Sequence, residues 1–137
     1  MTFLDSSVIA DMLAGDDDVV EFVESEGEPY VTSTICVFEV IEGYLGQGDA
    51  DVYALRQDFG GVTAIDLTES IALEALRLQN RHYDNGNPRP VRDLLIAATA
   101  RSTGDHLVVA DSDFVTPVLE DEIEITNLRS DDRASSP

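Results

Sequence analysis

Acidic residues interrupt four apolar segments of this sequence, and that pattern limits what the chain can fold into. Each segment is short and carries one acidic residue at its end, in its middle or at its start: Asp5 after residues 2–4, Glu39 within residues 35–41, Asp93 before residues 94–98 and Asp111 after residues 107–110. An unpaired carboxylate is costly to bury, so each of these carboxylates needs a partner in the folded chain. A fold that buries the four segments must also bring their carboxylates to such a partner.

Positive partners are scarce in this sequence. The 137 residues include 28 acidic residues and only 8 lysines and arginines, all of them arginine, and the formal net charge is −20. A divalent cation held by several carboxylates at once would serve all four acidic residues, and Mg²⁺ and Mn²⁺ prefer oxygen ligands. The sequence therefore predicts a Mg²⁺ or Mn²⁺ site formed by Asp5, Glu39, Asp93 and Asp111.

The charge balance also indicates the salt environment. A net charge this far from zero destabilises a compact fold through self-repulsion, whereas at about 1 M salt the Debye length falls to about 3 Å and surface repulsion fades. The sequence therefore favours a salt-accumulating, halophilic host. An acidic protein from a mesophile and a protein that binds a basic partner are the alternatives.

Length and composition are typical of one globular domain, because hydrophobic residues make up 43% of the chain. We expect residues 1–129 to form the domain and residues 130–137 to be a disordered tail. No apolar stretch approaches the roughly 20 residues that span a bilayer, so no membrane partner is expected. Cys36 is the single cysteine. A chain with no internal disulfide and no visible secretory signal is expected in a reducing, cytoplasmic setting.

Short apolar strands alternate with helical segments along the chain. The predicted strands are residues 2–4, 29–32, 62–67, 106–110 and 122–126. This alternation favours an α/β fold with a parallel sheet covered by helices on both faces. In open parallel sheets ligands bind beyond the carboxyl ends of the strands, where the strand order reverses. Asp5 and Asp111 each follow a predicted strand, so both carboxylates should face one crevice if those two strands are neighbours.

Four motifs occur in a fixed order over nearly the whole chain. They are residues 3–9 (FLDSSVI), residues 32–35 (TSTI) followed by Glu39 and Gly43, residues 92–100 (RDLLIAATA) and residues 107–114 (LVVADSDF). In this order and at these separations the chain resembles the PIN-domain ribonucleases, and most closely the VapC-type toxins of type II toxin–antitoxin systems. The resemblance implies a PIN-like three-layer α/β/α fold with a parallel sheet of roughly five strands.

The resemblance also implies a metal-dependent endoribonuclease that hydrolyses RNA phosphodiester bonds. By position, Asp5, Glu39, Asp93 and Asp111 match the acidic quartet with which the family binds Mg²⁺ or Mn²⁺. Asp5 and Asp93 would be the main direct ligands, and Asp111 would bind directly or through water. Glu39 would bind through water or orient the nucleophile. Asp113 could be an additional or substitute acidic residue.

One position departs from the family pattern. The family often has Thr or Ser two positions before its fourth acidic residue, and this chain has Val109 there. A hydroxyl that would orient the neighbouring carboxylate or the phosphate is therefore missing, and Ser6 could supply one from the first motif.

Several arginines border the proposed site in the sequence. They are Arg89, Arg92 and Arg101, with Arg81 on the preceding helix, and they could hold RNA phosphates bidentately. Surface pairing with the abundant carboxylates is the alternative for each of them.

The resemblance implies partners as well. A toxin of this kind has a VapB-like antitoxin, and the family often forms toxin dimers, so a homodimer or a larger toxin–antitoxin assembly is expected. Two other functions stay open at this point: a housekeeping RNA-processing PIN nuclease, and a catalytically impaired PIN domain that acts as a binding or autoregulatory subunit. A small antitoxin-like gene immediately upstream would favour the toxin.

Overall fold

The computed structural model describes residues 1–46 and 48–129, so the expected tail at residues 130–137 lies outside the described residues. The described chain forms one sheet with helices around it. The strands are β1 (Thr2–Leu4), β2 (Tyr30–Ser33), β3 (Val62–Ile65), β4 (His106–Val109) and β5 (Ile125–Asn127). The helices are α1 (Ser6–Leu13), α2 (Asp17–Glu26), α3 (Thr34–Glu42), α4 (Val52–Gln57), α5 (Glu69–Asp84), α6 (Val91–Thr103) and α7 (Pro117–Glu122). None of these helices is both long and apolar enough to cross a membrane.

All five strands are parallel, and they lie in the order β3-β2-β1-β4-β5. The chain adds β2 and β3 on one side of β1 and then returns to the other side for β4 and β5. The strand order therefore reverses between β1 and β4, which are direct neighbours with Leu4 opposite Val108. This topology confirms the predicted α/β class and parallel sheet, and it places the switch point of the sheet at the carboxyl ends of β1 and β4.

Alternate side chains of the two central strands enter two separate apolar clusters, one on each face of the sheet. Phe3 of β1 and Leu107 and Val109 of β4 pack with helices α5, α6 and α7. Leu4 and Val108, which point the other way, pack with α1, α2 and α3. Because both faces are covered, the buried residues that follow the first position of each central strand are apolar: Phe3 and Leu4 in β1, and residues 107–109 in β4. The result is the three-layer α/β/α arrangement that the sequence resemblance implies.

Two helices that matter for the site begin in different ways. Helix α3 follows β2 directly, and Ser33 caps it by accepting a hydrogen bond from the Ile35 amide at 3.2 Å. Helix α6 begins after Pro90, which offers no side-chain cap. A proline in extended conformation directs the chain into the helix, because its ring fixes the backbone. Both starts place polar residues of the first helical turns at the carboxyl edge of the sheet.

Three arginines converge on Glu122 at the end of α7 and hold α5 and α6 against it. Arg77 donates to both carboxylate oxygens of Glu122, at 2.9 and 2.8 Å. Arg81 and Arg101 each add one hydrogen bond, at 2.7 and 3.0 Å. Together, and through Arg77 above all, they lower the pKa of Glu122 to about 2. Arg81 and Arg101 are therefore paired with surface carboxylates, as the alternative interpretation of these two residues held.

Glu122→Gln should lower stability only where the carboxylate is ionised. Folding lowers the pKa of the Glu122 carboxyl from 4.5 to about 2. The contribution of this carboxylate to the free energy of unfolding is therefore fully present above the unfolded pKa and is lost as the pH falls through the folded pKa. The arginine partners are partly exposed, so we expect a loss of about 1–2 kcal/mol in the free energy of unfolding at neutral pH.

Urea unfolding of the parent chain and the variant, at neutral pH and at about pH 3, measures this difference at fixed salt. Glu120→Gln, an exposed residue of the same helix, is the matched control. An equal loss in both variants, or a loss that does not shrink in acid, contradicts a stabilising role for the Glu122 network.

Candidate functional site

Asp5 lies where the carboxyl ends of β1 and β4 meet, and both strands fix its position. It directly follows β1, is fully buried, and its amide donates to the Val108 carbonyl at 3.0 Å. Its carboxylate caps α1 by accepting hydrogen bonds from the Ser7 amide at 3.3 Å and the Ser7 hydroxyl at 2.5 Å. The same hydroxyl accepts a hydrogen bond from the Ala110 amide at 3.0 Å. One carboxylate oxygen of Asp5 is thereby held, and the other is left for contacts across the site.

One guanidinium, that of Arg92, contacts three of the four predicted acidic residues. Its Nη2 lies 2.8 Å from Asp5 Oδ1, its Nε lies 2.7 Å from Glu39 Oε2, and its Nη1 lies 3.0 Å from Asp93 Oδ1. The fold thus gathers carboxylates from the end of β1, the middle of α3 and the start of α6 around a single cation. We call Asp5, Ser6, Glu39, Arg92 and Asp93 the acidic cluster.

The structure gives these carboxylates a partner within the chain. The sequence predicts a metal ion for this role and offers Arg92 either to RNA phosphates or to nearby carboxylates, and in this structure Arg92 pairs with carboxylates. The structure shows that one arginine can serve three carboxylates at once, because its planar head carries donors on three nitrogens.

Ser6 and Glu39 close the acidic cluster on the side of α1 and α3. Ser6 Oγ donates to Glu39 Oε1 at 3.0 Å and lies 2.8 Å from Arg92 Nη2. Arg92 Nη2 also donates to Glu39 Oε1 at 2.8 Å. Glu39 is half-buried, whereas the next two residues of α3, Val40 and Ile41, are buried in the apolar cluster beneath it. The packing of α3 therefore directs Glu39 towards the first turn of α1.

Asp93 lies in the first turn of α6 and is mostly buried. Burial raises the pKa of its carboxyl; the hydrogen bond and charge of Arg92 oppose the rise, and the negative charge of Asp111 adds to it. Asp111, half-buried after β4, is thus close enough to act on Asp93 electrostatically. Its own Oδ1 accepts a hydrogen bond from the Asp113 amide at 3.0 Å. The carboxylates of Asp5, Glu39 and Asp93 therefore surround Arg92, whereas the carboxylate of Asp111 faces the turn that follows Asp111.

The remaining predicted residues border the acidic cluster or lie in the core. Asp113 is exposed, and its backbone carbonyl accepts a hydrogen bond from Arg89 Nη2 at 2.6 Å. The Nε of Arg89 is buried and has no hydrogen-bond partner among the residues that the structure describes. Val109, where the family often has a hydroxyl, is fully buried in the apolar cluster that includes α6.

Cys36 contacts the acidic cluster, which the sequence does not indicate. Its Sγ lies 3.8 Å from Asp5 Oδ1. Burial and then the charge of Asp5 raise the pKa of the thiol to about 12, so a neutral thiol faces the carboxylate as a weak donor. A cysteine inside an apolar run gives no sign of this contact, because it depends on how α3 packs against the end of β1.

The acidic cluster has the donors that a hard divalent cation needs, but Arg92 holds them. Three carboxylates and one guanidinium leave a net negative charge, and the donors are carboxylate and hydroxyl oxygens, which Mg²⁺ and Mn²⁺ prefer. Within residues 1–46 and 48–129, no group of three or more His, Cys, Asp or Glu side chains is placed to hold a metal ion. The oxygen donors thus fit such an ion in their chemistry, and in this structure they contact Arg92 instead.

The chain combines a parallel α/β/α fold with carboxylates gathered at its switch point. The sequence matches the PIN domain family over residues 2–117, and this chain belongs to that family. No curated protein matches the sequence.

Solved structures that share the fold include several toxin–antitoxin complexes. A toxin–antitoxin complex from Klebsiella pneumoniae has a TM-score of 0.73 at 16% identity, covering 93% of this chain and 97% of that one. VapBC-1 from nontypeable Haemophilus influenzae has a TM-score of 0.74 at 21% identity, covering 92% and 96%. DNA-bound VapBC from Salmonella typhimurium has a TM-score of 0.71 at 20% identity, covering 92% and 96%. At these identities the likeness shows the fold.

Proposed function

We propose that this protein is a metal-dependent endoribonuclease and the toxin of a VapBC-type toxin–antitoxin pair. The observation that carries the proposal is the convergence of Asp5, Glu39 and Asp93 at the switch point of a PIN-family sheet, with Asp111 beside Asp93. Buried carboxylates repel one another and lose hydration. A site that gathers them needs a cation, which Arg92 supplies in this structure and a metal cofactor would supply in the active enzyme.

Mg²⁺ or Mn²⁺ is the proposed cofactor. Asp5 and Asp93 would hold it directly, Asp111 directly or through water, and Glu39 through water. When bound, such an ion supplies an activated water and stabilises the charge on the phosphate. Ser7 holds one oxygen of Asp5 and so keeps the other directed at the cluster. Glu39, half-buried at the open side of the cluster, would orient the attacking water.

RNA is the proposed substrate, and three residues are proposed to contact it. Ser6 lies within the acidic cluster, and its hydroxyl could donate to a phosphate oxygen. Arg89 borders the turn at Asp111 and could hold a neighbouring phosphate, and Arg92 could do so once it leaves the carboxylates. Because the chain carries a net charge of −20, a bound cation and high salt would have to offset its repulsion of RNA. Asp113 stays the candidate for an additional acidic residue.

Exposed apolar side chains on and after α3 offer a surface for an antitoxin. Phe38, Tyr44 and Leu45 are 64%, 41% and 44% exposed. A groove of about 300 Å³ between α1 and α3 leads from this surface to the acidic cluster and is lined by Ser6, Ser7, Ala10, Glu39, Val40, Gly43 and Tyr44. An amphipathic helix of a VapB-like antitoxin would pack here, and an antitoxin arginine could reach the carboxylates. The toxin–antitoxin complexes among the structures of similar fold support such a partner.

A second apolar surface is proposed for toxin dimerisation. Leu73 and Leu76 of α5 are 59% and 63% exposed, and Tyr83 and Val91, at the end of α5 and the start of α6, are 63% and 69% exposed. Large apolar side chains grouped on a surface commonly mark protein contacts. A homodimer, or a larger toxin–antitoxin assembly, would bury them.

The toxin function is tested by RNA cleavage in Mg²⁺ and high KCl, with and without the product of the gene immediately upstream. We expect a complex, measured by its mass in solution, in which cleavage is largely suppressed. Phe38→Glu should weaken the complex and restore cleavage, because it puts a charge into the apolar contact. Leu73→Glu, on the second surface, should leave the inhibition intact.

Two results would contradict the toxin. If the two proteins do not associate in high salt, or if the complex cleaves RNA as fast as the free chain, a housekeeping RNA-processing PIN nuclease becomes the better account.

A catalytically impaired PIN domain is the second candidate, and the contacts of Arg92 favour it. A binding or autoregulatory subunit would need no metal and could keep Arg92 as a permanent counter-ion of Asp5 and Glu39. This candidate is excluded if the parent chain cleaves RNA, loses the activity when Mg²⁺ is chelated and regains it when Mg²⁺ is added back.

A further inference from the structure

Each of the three guanidinium nitrogens of Arg92 contacts another residue of the acidic cluster. Its three nitrogens contact Asp5, Ser6, Glu39 and Asp93 at distances between 2.7 and 3.0 Å. Nη2 alone faces three oxygens, although it carries only two hydrogens, so these acceptors must share them. The contacts join the first turn of α6 to α1 and α3 at the place where the carboxylates converge.

Arg92 remains a cation in these surroundings. A guanidinium does not lose its proton in a protein, so deprotonation cannot release the side chain. While the carboxylates are ionised, a competing cation, or a competing anion for the guanidinium, is needed to separate Arg92 from them.

The oxygens that Arg92 uses are those that a divalent ion would need. Asp5 Oδ1 and Glu39 Oε1 both lie 2.8 Å from the same nitrogen, Nη2, whereas Asp5 Oδ2 is already held by Ser7. A Mg²⁺ ion binds carboxylate oxygens at about 2.0–2.1 Å. An ion on these two oxygens would sit almost against Nη2, and the two positive charges would repel each other strongly in a partly buried site.

We propose that Arg92 is a built-in competitor of the divalent cation: its guanidinium neutralises Asp5 and Glu39 until metal binds, and it must leave them for the site to load. This inference rests on the proposed metal-dependent function. The side chain of Arg92 is 28% exposed, and it stands in the first turn of α6, so it can turn towards solvent without unfolding the helix. The free chain is thereby kept folded at low metal, and its activation depends on metal concentration.

The test is isothermal titration calorimetry of the full chain with Mn²⁺ in high KCl. Binding that persists in Asp5→Asn is subtracted, so that only Asp5-dependent binding is compared. Arg92→Gln removes the charge and the forked donors but keeps a polar side chain of moderate length. We expect this variant to bind Mn²⁺ at least about tenfold more tightly than the parent chain, equivalent to about 1.4 kcal/mol. Arg101→Gln is the matched control, because Arg101 lies on the same helix and pairs with Glu74 and Glu122 instead. It should bind Mn²⁺ as the parent does.

A second measurement follows the competition in the parent chain itself, and variants serve only to assign the signal. The Nε–H group of Arg92 donates to Glu39 at 2.7 Å and should give a distinct NMR signal, which is assigned by its absence from Arg92→Gln or Arg92→Lys. Titration with diamagnetic Mg²⁺ should move this signal towards the position of a solvated arginine, whereas the Nε–H signal of Arg101 should stay in place.

The possible results separate this inference from the proposed function. In one case the parent chain has an Asp5-dependent site, Arg92→Gln binds Mn²⁺ equally or more weakly, and the Arg92 signal does not move. This result overturns the competition and leaves the metal-dependent nuclease intact. If neither the parent chain nor Arg92→Gln shows Asp5-dependent binding, this result overturns both the competition and the metal dependence of the proposed function.

Discussion

Asp5→Asn is expected to reduce RNA cleavage by at least about a hundredfold, the typical cost of removing one preorganised electrostatic group. Asp5 is fully buried at the switch point of the sheet, and it joins the first helix to the acidic cluster. Asparagine keeps the size of the side chain and can still accept a hydrogen bond from Ser7. The substitution therefore removes the charge at the centre of the site with little change in shape.

The matched control is Asp66→Asn. Asp66 also follows a strand of the sheet, but that strand is β3 at the edge, and the side chain is exposed. Cleavage rates of both variants are compared in Mg²⁺ and high KCl, with circular dichroism to show that each is folded. Unchanged cleavage by Asp5→Asn, or an equal loss in both variants, would remove Asp5 from the site.

The fold was largely predictable because strand position carries so much information. A carboxylate that directly follows a short buried strand must lie at the carboxyl edge of a parallel sheet, and that rule placed Asp5 and Asp111 on one edge. The neighbouring positions of β1 and β4 then follow from the strand order. The predicted strand near residues 122–126 is displaced to Ile125–Asn127, because Pro117 starts a helix that runs to Glu122.

The contacts of the long side chains could not be predicted in the same way. Arg92 follows Pro90 and Val91 in the sequence, and nothing there indicates that its head reaches Glu39, which is 53 residues away. An arginine has several rotatable bonds, so its partner is decided by the packing of α6 against α1 and α3. The same reason explains why Arg81 and Arg101 pair with Glu122, far along the chain, instead of bordering the site.

The hydrogen bond of Asp111 in the short turn after β4 could not be predicted from the sequence either. Asp111 is predicted to face the other carboxylates, and in the structure its Oδ1 also accepts a hydrogen bond from the Asp113 amide. Aspartate commonly binds a backbone amide two residues ahead in this way. That local bond competes with any distant partner, and a strand-end position alone does not tell which one wins.

The stability of this protein should rise steeply with salt, and this is the second large effect that we expect. The chain carries 28 acidic and 8 basic residues. The arginines that the structure describes already take part in ion pairs or hydrogen bonds, so most acidic surface residues have no arginine left to pair with. Raising KCl from dilute buffer to about 2 M shortens the Debye length several-fold. We expect the melting temperature to rise by about 10 °C or more, since for a domain of this size each kcal/mol shifts it by about 4 °C.

Thermal melts over a series of KCl concentrations measure this rise, and two controls separate screening from other effects of salt. Glycine betaine at equal osmolality carries no net charge and stabilises only by its exclusion from the protein surface, so it should raise the melting temperature less than KCl does if screening is the cause. A Glu21→Gln, Glu24→Gln double variant, which neutralises two exposed positions of α2, should melt higher than the parent in dilute buffer and approach it in concentrated KCl. These two results together would assign the dependence on salt to charge repulsion, which is the behaviour expected of a protein from a salt-accumulating host. A melting temperature that does not change with KCl would contradict both the repulsion and the proposed halophilic host.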